Sequence, residues 1–237
     1  MRILKAIGGV VMAVVFGGSL VSCSGVLSPR GPESPAALQK RGLKPGEGYL
    51  VATFDKISLD REGGSGPDHA VSWVQVERAG KPGGNFARLK PAVSHPIYDL
   101  LIPNGRPSEV VAMPLPAGNY ELTGWRVETN TGGGWIEISN RLPIRVPLQV
   151  NPGEATYVGR FRSIAVWGRN FIGVPVLADG AMLLGDDFSK DQSRISNHYP
   201  MIRPSMIHRS NAPATYQAEM RRVARTPREE AFWKKWL

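Results

Sequence analysis

The amino-acid sequence predicts a mainly β protein, a single antiparallel β-sandwich with short C-terminal helices. Three observations carry this expectation. Apolar and polar residues alternate in several short runs, turns rich in Gly, Pro and Asn separate those runs, and helical patterning enters only after about Gly185. A period of two puts one face of a strand in a core and the other in water. Repeated short strands with such punctuation favour a sandwich over an α/β fold.

Ahead of the sandwich lies a segment of a different kind. Arg2 and Lys5 supply positive charge, Ile7 to Leu20 is apolar and small residues precede Cys23, the layout of an export signal. The apolar stretch of 14 residues is short of the roughly 20 that cross a bilayer as a helix. The run Leu20-Val21-Ser22-Cys23 resembles the lipobox of bacterial lipoproteins. That resemblance implies cleavage between Ser22 and Cys23, a diacylglyceryl group on the Cys23 thiol and acylation of the new amine. One acyl chain gives marginal membrane affinity, whereas two or three hold a protein nearly permanently. Ser24 after the cysteine implies the outer membrane, facing the periplasm, with the inner membrane left open. Ordinary secretion with an incidental cysteine is the alternative. Cys23 is the single cysteine, so an exported domain is stabilised by its core without an internal disulfide.

The organisation expected from composition is a signal peptide over 1–22, an acylated cysteine with a flexible tether over 23–48, a sandwich over 49–200 and a basic helical tail over 201–237. The tether is dominated by Ser, Pro, Gly and isolated charges, as in Lys44-Pro45-Gly46-Glu47-Gly48. As a flexible coil it reaches roughly 25–30 Å. Within the sandwich, Leu50, Ala52 and Phe54 alternate with Val51, Thr53 and Asp55, and Val74 and Val76 share a face. Ile144, Val146, Leu148 and Val150 alternate with Arg145, Pro147 and Gln149. Pro147 has no ladder donor, which places its strand at an edge or a bulge. From Tyr120 to Val127 the apolar phase switches at Gly124, the mark of a β-bulge. Phe171 to Val176 and Ala181 to Leu184 read as the last strands.

The doubled pattern Leu115-Pro116-Ala117-Gly118-Asn119-Tyr120-Glu121-Leu122 and Val150-Asn151-Pro152-Gly153-Glu154-Ala155-Thr156-Tyr157-Val158-Gly159 resembles small transthyretin-like or immunoglobulin-like sandwich domains of uncharacterised bacterial lipoproteins. The resemblance covers about Tyr49 to Pro200 and specifies fold rather than activity. Each glycine permits a turn, and each tyrosine is expected to start a strand and pack its ring across the corner.

Beyond the strands, Ser189 and Gln192 fit a capping box for a helix from about Lys190 to His198. Thr226-Pro227-Arg228-Glu229 announces a last helix in which Phe232 pairs with Trp236 and Trp233 with Leu237 at four-residue spacing. Eleven residues rarely hold a helix alone, so this one needs a surface to dock on. Phe232, Trp233 and Trp236 either cover a sheet face of their own domain or, with Lys234 and Lys235, form a basic aromatic foot for lipid or a partner. Residues 201–237 hold eight Lys or Arg against three Glu, and without Arg2 and Lys5 the chain keeps 27 basic against 20 acidic residues, a net +7. A basic balance favours anionic neighbours. In an envelope these are lipid phosphates, cell-wall carboxylates or an acidic protein. Compartment argues against nucleic acid, and no nucleic-acid-binding signature is present.

Residues for catalysis are sparse. His69, His95, His198 and His208 are scattered, with no His-Glu-x-x-His pair and no second cysteine for a zinc site. Asp68-His69 either orients an imidazole for nucleophile activation or forms a polar turn. Asp186-Asp187 lacks the spaced ligands of a calcium loop and fits a helix start better. The runs Gly63-Gly64 and Gly132-Gly133-Gly134 lack the Lys-Ser/Thr of a phosphate loop and read as hairpin connections. The expected function is therefore a membrane-anchored envelope module for binding or structure, without cofactor or metal. The alternative is a hydrolase or carbohydrate-active domain using Asp68, His69 and His95.

Overall fold

The computed structural model describes residues 31–62, 64–81, 86–91, 108–130 and 134–223, and it is mainly β, as the alternation predicts. Strands β1 (Glu47–Asp60), β2 (Val71–Arg78), β3 (Ala87–Leu89), β4 (Glu109–Pro116), β5 (Gly118–Asn130), β6 (Trp135–Ser139), β7 (Val146–Val150), β8 (Ala155–Arg169), β9 (Pro175–Gly185) and β10 (Ile207–Arg209) are joined by helices α1 (Pro35–Arg41), α2 (Phe188–His198) and α3 (Ala212–Val223). The first sheet runs β4-β1-β8, with β10 and then β9 along the far side of β8; the second runs β3-β2-β5, with β7 and then β6 along the far side of β5. Leu50, Phe54, Val74, Val76, Leu122, Trp125, Phe161 and Met182 are among the residues that fill the core between them.

Most pairings are antiparallel, but β1 and β8 run parallel from Tyr49 to Asp60. Parallel strands are characteristically covered on both faces, and β1 is buried on both along its first half. The expectation of one wet face fails here for that reason. Leu50, Ala52 and Phe54 face the inter-sheet core. Tyr49 and Val51 face a second apolar layer with Leu38, Tyr157, Ile195, Tyr199, Ile202 and Ile207, so α1 and α2 cover the outer face of the first sheet.

That outer layer corrects the expected domain limits. Part of the span read as tether is folded: Ser34 accepts the Ala37 amide at 3.2 Å as N-cap, and Leu38 is fully buried. Arg41 then donates to both carboxylate oxygens of Glu47 at 2.8 Å. The described part of the expected tail is equally integral. Strand β10 pairs with β8, and α3 packs between β7 and β9, closing one side of the sandwich with Ala212, Tyr216 and Met220 buried. The Tyr216 hydroxyl donates to the Met182 carbonyl at 2.6 Å.

Other expectations hold in detail. Strand β7 buries Val146, Leu148 and Val150 and exposes Pro147 and Gln149, and it lies at the margin of its sheet, pairing with β5. Opposite β5 the register jumps from Gln75–Gly124 to Val76–Leu122, so the bulge falls where the phase switched. There Asn140 Oδ1 accepts the Trp125 amide at 2.8 Å. The Tyr120 hydroxyl donates to the Pro116 carbonyl at 2.7 Å, tying the β4–β5 corner as a tyrosine corner does. The second tyrosine of the doubled pattern departs from this, since Tyr157 faces α2. Helix α2 also begins earlier than read: Asp187, not Ser189, is its N-cap residue.

Both sheets run from a common base, where the β4–β5 and β7–β8 turns meet the start of β1, to a far end formed by the ends of β1, β5 and β8. At the base the Gly153 amide donates to the Glu47 carbonyl at 2.8 Å and the Tyr49 amide to the Glu154 carbonyl at 2.8 Å. A Cβ on Gly48 would lie 2.0 Å from the Asn151 carbonyl oxygen, so only glycine fits where the turn crosses the strand. Gly48→Ala is expected to destabilise the protein by about 1–3 kcal/mol, read as a lower urea midpoint with an unchanged slope.

Candidate functional site

The pair singled out for chemistry, Asp68-His69, is used by the fold. The segment 65–68 lies along the free margin of the far half of β1, where Ser65 bridges to Leu59 and the Gly66 amide donates to the Ser58 carbonyl at 3.1 Å. Lys56 reaches the Asp68 carboxylate at 2.7 Å and also donates to the Asp68 carbonyl oxygen. The His69 ring packs against Trp167 at a tilt of 53°, with centroids 4.5 Å apart, and the Trp167 indole N–H donates to Ser58 at 2.8 Å. Partial burial, with the Lys56 charge adding to it, holds the imidazole below its ordinary pKa, while Asp68 opposes the shift. Asp68 thus serves Lys56 and His69 serves Trp167.

The remaining described candidates are equally separate. His208 Nε2 sits 3.4 Å from Glu154 at the base, and His198 meets the neighbouring Tyr199 ring edge-on. Asp186 accepts the Phe188 amide at 3.2 Å and Asp187 stands at the N-cap position of α2 without a side-chain capping bond, so both acids lie at the helix start as expected. No trio of His, Cys, Asp or Glu with metal-ligand geometry occurs among the described residues. Ser22, Cys23, His95, Phe232, Trp233, Lys234, Lys235 and Trp236 lie outside the described residues.

What sequence reading missed is a charged cluster under α2, centred on Arg160. Its Nη1 approaches Asp55 of β1 at 3.3 Å and Ser108 at 3.1 Å. Its Nε lies 3.0 Å from Asp187, and Nη2 donates to Asp191. The other oxygen of Asp191 accepts the Tyr157 hydroxyl at 2.6 Å. Asp191 is wholly buried. Burial and the bond to Asp191 push the Tyr157 phenol well above its usual range, so it remains a donor. Burial pulls the Arg160 guanidinium down, but its bond and charge contact with Asp191 outweigh that and leave it raised.

A bulge builds this cluster. Tyr157 and Arg160 are three apart, which in a regular strand places them on opposite faces. The β1–β8 register steps from Val51–Tyr157 to Ala52–Gly159, leaving Val158 as an extra residue that points into the inter-sheet core. Gly159 takes φ of +139°, and a Cβ there would lie 2.7 Å from the Gly185 carbonyl oxygen. The extra residue turns Tyr157 and Arg160 to the same side, toward Asp191. The arrangement is a clamp between sheet and helix, in which each acid has a cation or hydroxyl partner.

A second feature is the β8–β9 turn. The span expected to begin a strand at Phe171 instead makes a tight reversal through 170–174, because Asn170 supplies its own turn. Its Oδ1 accepts the amides of Ile172 at 3.1 Å and Val174 at 2.9 Å. Gly173 adopts φ of +80°, and Phe171 is 98 % exposed. An Asx turn at Asn170 followed by glycine was a readable signal, masked by the run of apolar residues.

No protein-family model matches the chain, and no curated protein does. Among solved structures, a leucine-rich repeat protein from Bacteroides thetaiotaomicron is similar over 65 % of this chain and 16 % of its own, at 13 % identity and a TM-score of 0.28. A likeness that slight bears on neither fold nor function.

Two outcomes follow from the geometry. Arg160→Met strands the buried Asp191 and is expected to cost about 3–5 kcal/mol in urea unfolding, whereas Arg160→Met with Asp191→Leu recovers most of that loss. His69 binds its proton less readily folded than unfolded, so its contribution to stability is present above pH 6.5 and is lost as pH falls through its lowered pKa. The ring is largely solvent-accessible, so the effect is small. His69→Phe keeps a ring against Trp167 and is expected to remove this small loss of stability below that pH.

Proposed function

We propose that the protein is a lipid-anchored module of the bacterial cell envelope that acts by binding or structural contact and not by catalysis. The observation that carries this reading is the fate of the acid–imidazole pair, since Lys56 holds Asp68 and Trp167 holds His69. With both groups serving the sheet, the hydrolase alternative loses the residues it rested on within the described chain. The anchoring half of the proposal rests on Arg2, Lys5, the apolar run to Leu20 and Cys23, with the outer membrane as the proposed location. The basic aromatic segment Phe232-Trp233-Lys234-Lys235-Trp236 is the proposed contact for an envelope protein or anionic surface.

The fold shortens the proposed tether. Ser34 already caps a docked helix, and Glu33 lies 3.9 Å from Arg41 at the base of the sandwich. Residues 24–33 alone then separate Cys23 from the domain, with a root-mean-square reach of roughly 17–19 Å as a coil. The base of the sandwich is therefore held close to the membrane.

The test is the mature N-terminus. Mass spectrometry of the purified protein is expected to find a chain beginning at Cys23 and carrying acyl groups, with Cys23→Ala leaving the precursor unprocessed. An unmodified mature chain starting elsewhere overturns the anchoring. Photo-crosslinking in cells from position 233 is expected to give a discrete protein adduct; its absence removes the C-terminal contact.

A further inference from the structure

Four large apolar side chains stay exposed among the described residues, and three occupy one turn: Phe171 at 98 %, Ile172 at 67 % and Val174 at 48 %. The fourth, Trp135 at 66 %, opens β6 at the same end of the sandwich. Exposed apolar residues scattered singly are ordinary, but a contiguous group at the end of a hairpin marks a contact.

We propose that the β8–β9 turn is a membrane-insertion tip that seats Phe171 and Ile172 in the interfacial layer of a phospholipid bilayer. Rigidity is the first argument. Besides the two amides held by Asn170 Oδ1, the Asn170 amide donates to the Val174 carbonyl at 3.0 Å and the Gly173 amide to the Asn170 carbonyl at 2.9 Å. Arg169 Nη1 donates to the Gly173 carbonyl at 2.9 Å. The backbone of the turn is hydrogen-bonded within itself, so entering an apolar layer leaves fewer of its polar groups without partners. Preorganisation of this kind also avoids an ordering cost on contact.

Size selects the occupant. Three side chains on one turn present far less than the ~800 Å² per partner of a stable protein interface, whereas a fluid bilayer requires neither that area nor a matched shape. Charge agrees with it. Arg169 adjoins the tip, and Arg61 lies beside Gly168, its Nε 3.0 Å from where a Cβ would stand. Two guanidinium groups thus sit at the stem, at the depth where lipid phosphates would meet a buried tip. Nearby Asp60 has its carboxylate turned to the amides of Glu62 and Gly64 at 3.0 and 2.7 Å.

This contact is separate from the proposed acyl anchor. The chain enters at the base, and β1 spans 14 residues to the far end, roughly 45 Å at the usual rise. A tip and an anchor at opposite ends would lay the sandwich along a membrane, giving two points of attachment.

The experiment reads immersion depth, so it does not depend on lipidation. The full chain with Cys23→Ser carries Ile172→Cys as its single thiol, labelled with a nitroxide and mixed with vesicles of phosphatidylethanolamine and phosphatidylglycerol. A second protein carries the label at Gln149→Cys, at the base. The ratio of collisions with oxygen to collisions with an aqueous nickel chelate is expected to be several-fold higher at 172 than at 149, and to fall to the level of 149 when Phe171→Asp is added. Equal ratios at the two positions overturn the proposal. So does a high ratio at 172 in the absence of vesicles, which self-association would produce, or one that Phe171→Asp leaves unchanged.

Discussion

The parallel pairing of β1 with β8 is the constraint on which the rest of the molecule depends. Two parallel neighbours at the middle of a sheet need apolar cover above and below. The second sheet supplies the inner cover and helices α1 and α2 the outer one. A stretch before β1 rich in Pro, Gly and charge therefore folds down at Leu38, and the chain after β9 returns over the same face before β10 adds to the edge of β8. The second apolar layer is the price of placing those two strands side by side.

Burying the pair on both faces raises a difficulty that the Arg160 cluster resolves. A helix lying on a sheet slides easily if only apolar side chains join them. Asp191 is buried on α2 and is satisfied only when both Tyr157 and Arg160 point at it, which fixes the helix along the strand direction. Replacing a buried charge pair by apolar residues of similar volume is often neutral for stability, so what the cluster adds here is the placement of α2. Within the cluster Arg160 reaches all three acids, Asp191 also accepts the Tyr157 hydroxyl, and burial holds that phenol protonated.

What could be read in the sequence followed from periodicity. Strand β7 was visible because one of its faces is wet, the Gly124 bulge because a phase shift within one strand shows directly in the spacing of Leu122 and Trp125, and the tyrosine corner because a local turn sets it. What escaped was non-local. Val51 and Tyr49 look like surface positions of an alternating strand until a helix from elsewhere covers them. Tyr157 and Arg160 look opposed until Val158 is counted as extra. The turn at Asn170 is masked because Phe171, Ile172 and Val174 carry strand-forming side chains, so the hydrophobic pattern outweighs the turn chemistry. Asp68-His69 leaves two readings open in the sequence, because the contact of His69 with Trp167 depends on β8, nearly a hundred positions away in the chain.

Pro147 has a consequence of its own. A sandwich has margins, and a margin with free amides is a template on which another molecule's backbone can zip, the first step toward fibrils. At β7 the missing amide of Pro147 interrupts that template, and α3 lies over the same side of the sandwich. Among chains still completing their folding, this flank offers incoming strands little to copy.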